Sequence, residues 1–202
     1  MIDTIGNTIL NSSIKTLEEA LELQTEEGTI NDLIIAKTAK IGEKLSLRRI
    51  EVIEKSDDEV FGSYLHMGGK IAVLTVLKGA NEAVAKDVAM QSAAMKPVYV
   101  FEADISEEVI AHERSIQKEI AMGEGKPAEI AEKMVEGRIK KHFKEICLAE
   151  QPFIKDGDIN VATYVKNNNG EIKTMIRYEV GEGMEKRSEN FAEEVMNQIK
   201  GN

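Results

Sequence analysis

The stretch Lys126–Asp156, KPAEIAEKMVEGRIKKHFKEICLAEQPFIKD, holds one strongly periodic helix that passes directly into a strand-like tail. Pro127 takes a first-turn position, where its missing N–H costs no hydrogen bond. Ile130, Met134, Ile139, Phe143 and Ile146 mark an apolar stripe, while Lys133, Glu136, Lys140, Lys141 and Lys144 stay in water. After Ile146 the period is lost. Pro152 ahead of Phe153 and Ile154 cannot continue a helix and suits an edge strand.

Upstream of this stretch, Ser106 and Glu107 start a second helix that runs to about Met122, and GEGK (123–126) is a short turn between the two. Long helices joined so tightly must run antiparallel, and their narrow apolar stripes and charge-dense outer faces suit a two-helix arm projecting from a body. Downstream, a short helix spans Asn160–Lys166, NNNG makes a turn, EIKTMIRYEV (Glu171–Val180) is a strand, and a last helix runs from Glu185 to Ile199.

Further towards the N-terminus lies the clearest β pattern. FGSYLHM and KIAVLTVL are strand-like runs separated by Gly68 and Gly69, which tolerate the positive φ of a tight turn, so a hairpin spans Phe61–Leu77. Asn81 opens a helix through Lys96 with Val84, Val88, Ala89 and Met95 inward, and Pro97 ends it. LSLRRIEVIE (Leu45–Glu54) reads as a half-buried strand. Before it, Asn31 or Asp32 caps a helix through about Leu45, and Thr16 with Glu19 is a capping-box pattern for a short helix to Leu23, ended by Glu26, Glu27 and Gly28. Ile2, Ile5 and Ile9 fall at helical spacing with no cap before them.

The resulting order is hairpin, helix, strand, helical arm, strand, helix, strand. It predicts an α+β fold: antiparallel sheets with packed helices and an inserted antiparallel helical-hairpin (coiled-coil) arm. The expected division is a partial first core lobe (1–59), a second core lobe (60–99 and 149–183), the arm (100–148) and a C-terminal helix (184–202).

Composition narrows the function. A net charge of −10 argues against direct nucleic-acid binding, which needs clustered Lys and Arg, and fits a protein partner. The single cysteine, Cys147, cannot form an internal disulfide, and no segment approaches the ~20 apolar residues that cross a bilayer, so a cytoplasmic protein without membrane contact is expected. His112, His142 and Cys147 are scattered rather than spaced as metal ligands, and no nucleophile has a base at hand. The Gly-x-Gly of RYEVGEGMEK (Arg177–Lys186) lacks the further glycine and the Lys-Ser/Thr of a phosphate loop. Neither enzyme chemistry nor a cofactor is expected.

Several passages together resemble bacterial elongation factor Ts: the EGR of residues 136–138 followed by QPF at 151–153, AKIGEKLSLRR (Ala39–Arg49), GSYLHMGGKIAVLTVLKG (Gly62–Gly79) and DVAMQSAAMKP (Asp87–Pro97). The resemblance covers essentially all of the chain. It implies an exchange factor that binds elongation factor Tu carrying GDP and promotes GDP release, with Ile41 and Gly42 meeting the GTP-binding domain of Tu and His66 as the interface histidine. Read without the resemblance, Ile41 is a buried core residue, Gly42 a helix stop and His66 an exposed spectator. The family's Thr-Asp-Phe motif, whose Phe disturbs the magnesium site of Tu, occurs nowhere in the chain. The resemblance therefore implies a fragment with weakened exchange. The alternative is an interaction or dimerisation module without exchange, and a Leu45–Glu54 strand lacking neighbours would leave an edge favouring a homodimer.

Overall fold

A computed structural model describes residues 1–125 and 128–183. The expected first turn at Pro127 and the helix from Glu185 to Ile199 lie outside the described residues. The chain divides into two compact units, Met1–Glu54 and Lys55–Asn202.

The first unit carries α1 (Ile2–Leu10), α2 (Leu17–Glu22), a two-residue ribbon of β1 (Gln24–Thr25) with β2 (Gly28–Thr29), and α3 (Ile30–Ile41). Ile5, Ile30, Leu33 and Ile34 form its buried core, with Leu21, Leu23, Leu45 and Leu47 packed around them. The capping box of α2 forms: the Glu19 N–H donates to Thr16 Oγ1 at 3.2 Å, and the Thr16 N–H donates to Glu19 Oε2 at 3.1 Å. The cap of α3 is Thr29, not Asn31 or Asp32, because the short β-ribbon delivers the chain to the helix two residues earlier. Asp32 completes a second capping box from its third position, its N–H donating to Thr29 Oγ1 at 3.0 Å. The helix stops at Gly42, whose φ of +80° only glycine adopts without strain.

Leu45–Glu54 forms no strand. An alternating pattern supplies an apolar face but no ladder partner, and without one the backbone stays irregular. Leu45 and Leu47 are used instead as side chains packed on the helical core.

The second unit is built on β3 (Glu59–His66), β4 (Ile71–Lys78) and β7 (Glu171–Glu179), an antiparallel sheet in the order β3-β4-β7. One sheet face is covered by α4 (Glu82–Met95), capped by the Asn81 carboxamide oxygen, which accepts from the Val84 N–H at 3.0 Å. The helix lies so close to β3 that a Cβ on Gly62 would stand 2.1 Å from the Ala85 backbone. Its buried face includes Val84, Ala85, Val88, Ala89, Gln91, Ser92 and Ala93, whereas Met95, expected inward, is exposed. Leu77, Val84, Ala85 and Val88 meet Leu148, Phe153, Val161, Val165 and Ile172 in the main core.

The strand expected between α4 and the arm contracts to a single parallel bridge, Tyr99 to Cys147. A 3₁₀ turn (Glu102–Asp104) leads into α5 (Glu107–Gly123), and α6 (Ala128–Ile146) returns. Arg114 Nε, in mid-α5, bonds Glu136 Oε1 in mid-α6 at 3.0 Å, and Arg138 Nη2 of α6 bonds Glu124 Oε1 just beyond α5 at 2.9 Å, so the two helices pack side by side. The buried stripe of α6 is Val135, Ile139 and Phe143, continued by Cys147 just beyond the helix. Ile130 is 51% exposed and Val135 rather than Met134 is buried, so the stripe departs from expectation in the first half of the helix. A 3₁₀ turn (Leu148–Glu150) then precedes β5 (Pro152–Phe153), which pairs with β6 (Asp156–Asn160), and α7 (Val161–Asn167) leads to β7. The architecture is α+β.

Candidate docking surface

β3 and β4 are joined by the four residues Met67–Lys70, with His66 in register with Ile71. The Gly69 N–H donates to the His66 carbonyl at 3.1 Å, and Met67, Gly68 and Gly69 all have positive φ (51°, 67° and 88°). Glycine accepts that conformation freely. For Met67 it costs about 1–2 kcal/mol, and the side chain gains no core contact in return, being 63% exposed.

Alternation along β3 sorts the tip. Gly62, Tyr64 and His66 share the face that meets α4. Tyr64 packs on the cluster of Ile71, Val73, Ala89 and Ala93, and the His66 ring stacks on Tyr64 with centroids 5.9 Å apart and planes 26° apart. The imidazole is thus held against a fixed aromatic ring and is half-buried rather than free in solvent. Leu65 points to the other face and is 70% exposed.

Across the sheet end, His66, Ile71 and Glu179 lie in one register row. Glu179 accepts from Arg177 Nη2 at 2.7 Å and from Lys96 Nζ at 3.0 Å. These donors, Arg177 first, hold its carboxyl below the ordinary carboxylate range. The row therefore ends in a fixed, ionised group joining β7 to the C-terminal end of α4.

In the first unit, Ile41 and Gly42 stand together at the C-terminal end of α3. The Gly42 N–H closes the last turn on Thr38 O at 2.9 Å, and the Leu45 N–H donates to Thr38 Oγ1 at 3.2 Å, turning the chain back. Ile41 is 58% exposed. It is not a core residue, although Gly42 does stop the helix. The two described groups of candidate residues thus fall in different units, with Ile41 and Gly42 in one and His66 in the other.

Leu65 and Met67 carry no function in the sequence reading. The available signal was parity: Leu65 falls on the sheet face opposite Tyr64, and Met67 lies in the loop just before the two glycines. Among the described residues, no group of three His, Cys, Asp or Glu side chains could hold a metal, and no helix is long and apolar enough to cross a membrane.

Comparison with known proteins gives the chain its relatives. The family model described as elongation factor TS matches residues 1–182. Elongation factor Ts of Limosilactobacillus fermentum is 51% identical over 199 residues, covering 98% of this chain and 68% of that protein. The same identity and coverage hold for elongation factor Ts of Limosilactobacillus reuteri. An α+β body with an inserted helical hairpin, the His66 β-hairpin and a match along nearly the whole length lead to one assignment: the chain belongs to the elongation factor Ts family of translation elongation factors.

Proposed function

We propose that this chain binds elongation factor Tu and promotes release of its GDP, docking through the β3–β4 tip with His66 at its centre. The observation that carries this reading is the tip itself. Leu65 and Met67 are exposed apolar side chains beside an oriented imidazole, and the positive φ by which Met67 helps close the turn leaves its side chain in solvent. Exposed apolar side chains grouped around a fixed polar ring suit the surface of a protein partner. Ile41 and Gly42 form a second contact, an exposed apolar residue beside a helix end that a partner's backbone can approach closely. The partner is a protein, consistent with the net charge of −10.

Exchange on this reading makes and breaks no covalent bond. A factor that binds nucleotide-free Tu more tightly than Tu·GDP lowers the affinity of Tu for GDP by the same ratio, since coupling between two ligands is reciprocal. The deciding experiment is calorimetric titration of the chain into Tu with and without GDP. Tighter binding in the absence of nucleotide supports the reading, and equal affinities in both states overturn it. His66→Ala should weaken binding by about tenfold, the typical cost of one interface contact at a packed centre.

A further inference from the structure

The apolar clusters of the second unit change ownership across a single peptide bond. Cys147 belongs to the arm's own cluster with Ile105, Ala121, Val135, Ile139 and Phe143, whereas its neighbour Leu148 belongs to the main core. The apolar packing of the arm and that of the core therefore meet at the root of the arm, where burial is continuous from Cys147 through Ala149. Directional bonds also cross it. The N–H groups of Val98 and Tyr99 donate to Ile146 O at 2.8 and 3.1 Å, and those of Leu148 and Ala149 donate to Tyr99 O and Val100 O at 2.9 and 3.0 Å.

Two buried glutamines complete this junction. Gln151 is 1% exposed, and its Nε2 donates to Glu145 O at 2.7 Å and to Met95 O at 3.3 Å. Those carbonyls lie in the last turns of α6 and α4, where helix carbonyls have no partner in their own helix. One carboxamide thus caps two helices at once, one from the arm and one from the body. Gln91, 0% exposed, holds that carboxamide in place: its Nε2 donates to Gln151 Oε1 at 3.2 Å and to Pro152 O at 3.1 Å, while its Oε1 accepts from the Ile154 N–H at 2.8 Å.

We propose that Gln151, braced by Gln91, is a latch that fixes the direction of the helical arm relative to the core, and that its release lets the arm swing about the Tyr99–Cys147 crossing. Hydrogen bonds are angle-dependent where apolar contacts are not, so a junction made of them specifies orientation. A side chain that ties α6 to α4 has its effect on the angle between them. The inference is independent of which partner the arm or the hairpin meets.

The chain contains its own reporter, since Cys147 is its single cysteine and lies fully buried at the crossing. The test measures Cys147 labelling by a thiol reagent under native conditions in wild type, Gln151→Met, Gln91→Met and the core variant Val88→Ala, together with each midpoint of urea unfolding. Methionine keeps the length of the side chain and removes the carboxamide. The latch predicts labelling at least about tenfold faster in Gln151→Met, with a smaller rise in Gln91→Met and no comparable rise in Val88→Ala. In a Cys147→Ala background, spin labels at Lys86→Cys and Lys118→Cys should show a broader distance distribution when Gln151→Met is added. Labelling that merely tracks the fall in unfolding midpoint across all three variants overturns the proposal. So does an unchanged distance distribution. If Gln151→Met does not fold, Gln91→Met, which leaves both helix caps on Gln151 in place, carries the same two readouts.

Discussion

The hydroxyl of Thr75 donates a 2.9 Å hydrogen bond to the carbonyl oxygen of Ala85, tying the middle of β4 to the first turn of α4 directly over Gly62. Thr75 is fully buried, and its hydroxyl also lies 3.3 Å from Gly62 O. Helix and sheet meet here backbone to backbone. Gly62→Ala puts a methyl group 2.1 Å from the Ala85 carbonyl, and backbone cannot step aside as a side-chain end can. Overpacking of this kind should cost about 3 kcal/mol, read as a lower urea midpoint with unchanged slope. Thr75→Val keeps the shape and removes the donor, and should cost about 1 kcal/mol. A Gly62→Ala variant as stable as wild type would show that α4 can lift from the sheet.

Met67 separates stability from docking. Met67→Gly relieves left-handed backbone strain, so folding stability should hold or rise by up to about 1 kcal/mol, while binding to Tu weakens through loss of the exposed side chain. Thermal unfolding and a Tu titration on the same preparation check both halves. Unchanged affinity would remove Met67 from the docking surface.

Burial first, and then the charges of Glu102, Glu150 and Asp104, pushes the Cys147 thiol up to about 11. At pH 8 only about one thiol in a thousand is ionised, and the thiolate is the reactive form. A free thiol is about one quarter ionised at that pH, so labelling of the native protein should be slower than that of a free cysteine by about two hundredfold or more, and should recover fully in urea. The sign for stability follows from a folded value raised above the unfolded one: the contribution is complete below the ordinary thiol range near pH 8.5 and is lost as pH rises towards 11. Cys147→Ala should flatten the alkaline limb of the stability profile.

Glu179 acts on the acid side. Its folded value is depressed by the hydrogen bond from Arg177 and then by that from Lys96, so its contribution is present above the ordinary carboxylate range and disappears as pH falls through the folded value. Glu179→Gln should lose that acid-side dependence while leaving the neutral-pH fold intact. Urea midpoints between pH 7 and pH 3 measure it, and parallel profiles for wild type and variant would count against the pair.

Much of the second unit could be read locally. The Asn81 start of α4, the hairpin with its paired glycines, the short helix near Asn160 and the Glu171 strand each announce themselves within a few residues, because the forces that set them act over one turn or one strand pair. Leu45–Glu54 shows where local reading ends: alternation states which side chains seek a core, not whether a neighbouring strand exists to complete the ladder. The shift from Asp32 to Thr29 as the cap of α3 follows from a two-residue β-ribbon too short to leave a periodic trace. Gln91 and Gln151 were illegible for a stronger reason. Their partnership spans 60 residues of chain, and a buried carboxamide looks like any surface glutamine until the fold brings its partners to it. Of the candidate docking residues, His66 came from a resemblance, whereas the exposure of Leu65 and Met67, which strand parity only hinted at, became plain with the geometry of the turn.

The change of core between Cys147 and Leu148 also bears on how such a molecule can vary. The arm returns to the body where it left, closed by its own apolar stripe, so its length is not written into the core. Two helical turns added to each of α5 and α6 extend that stripe outward and leave each bond at the root where it stands. Insertion and deletion can therefore adjust the reach of the arm in units of helix pitch while the sheet, the hairpin and its histidine keep their geometry.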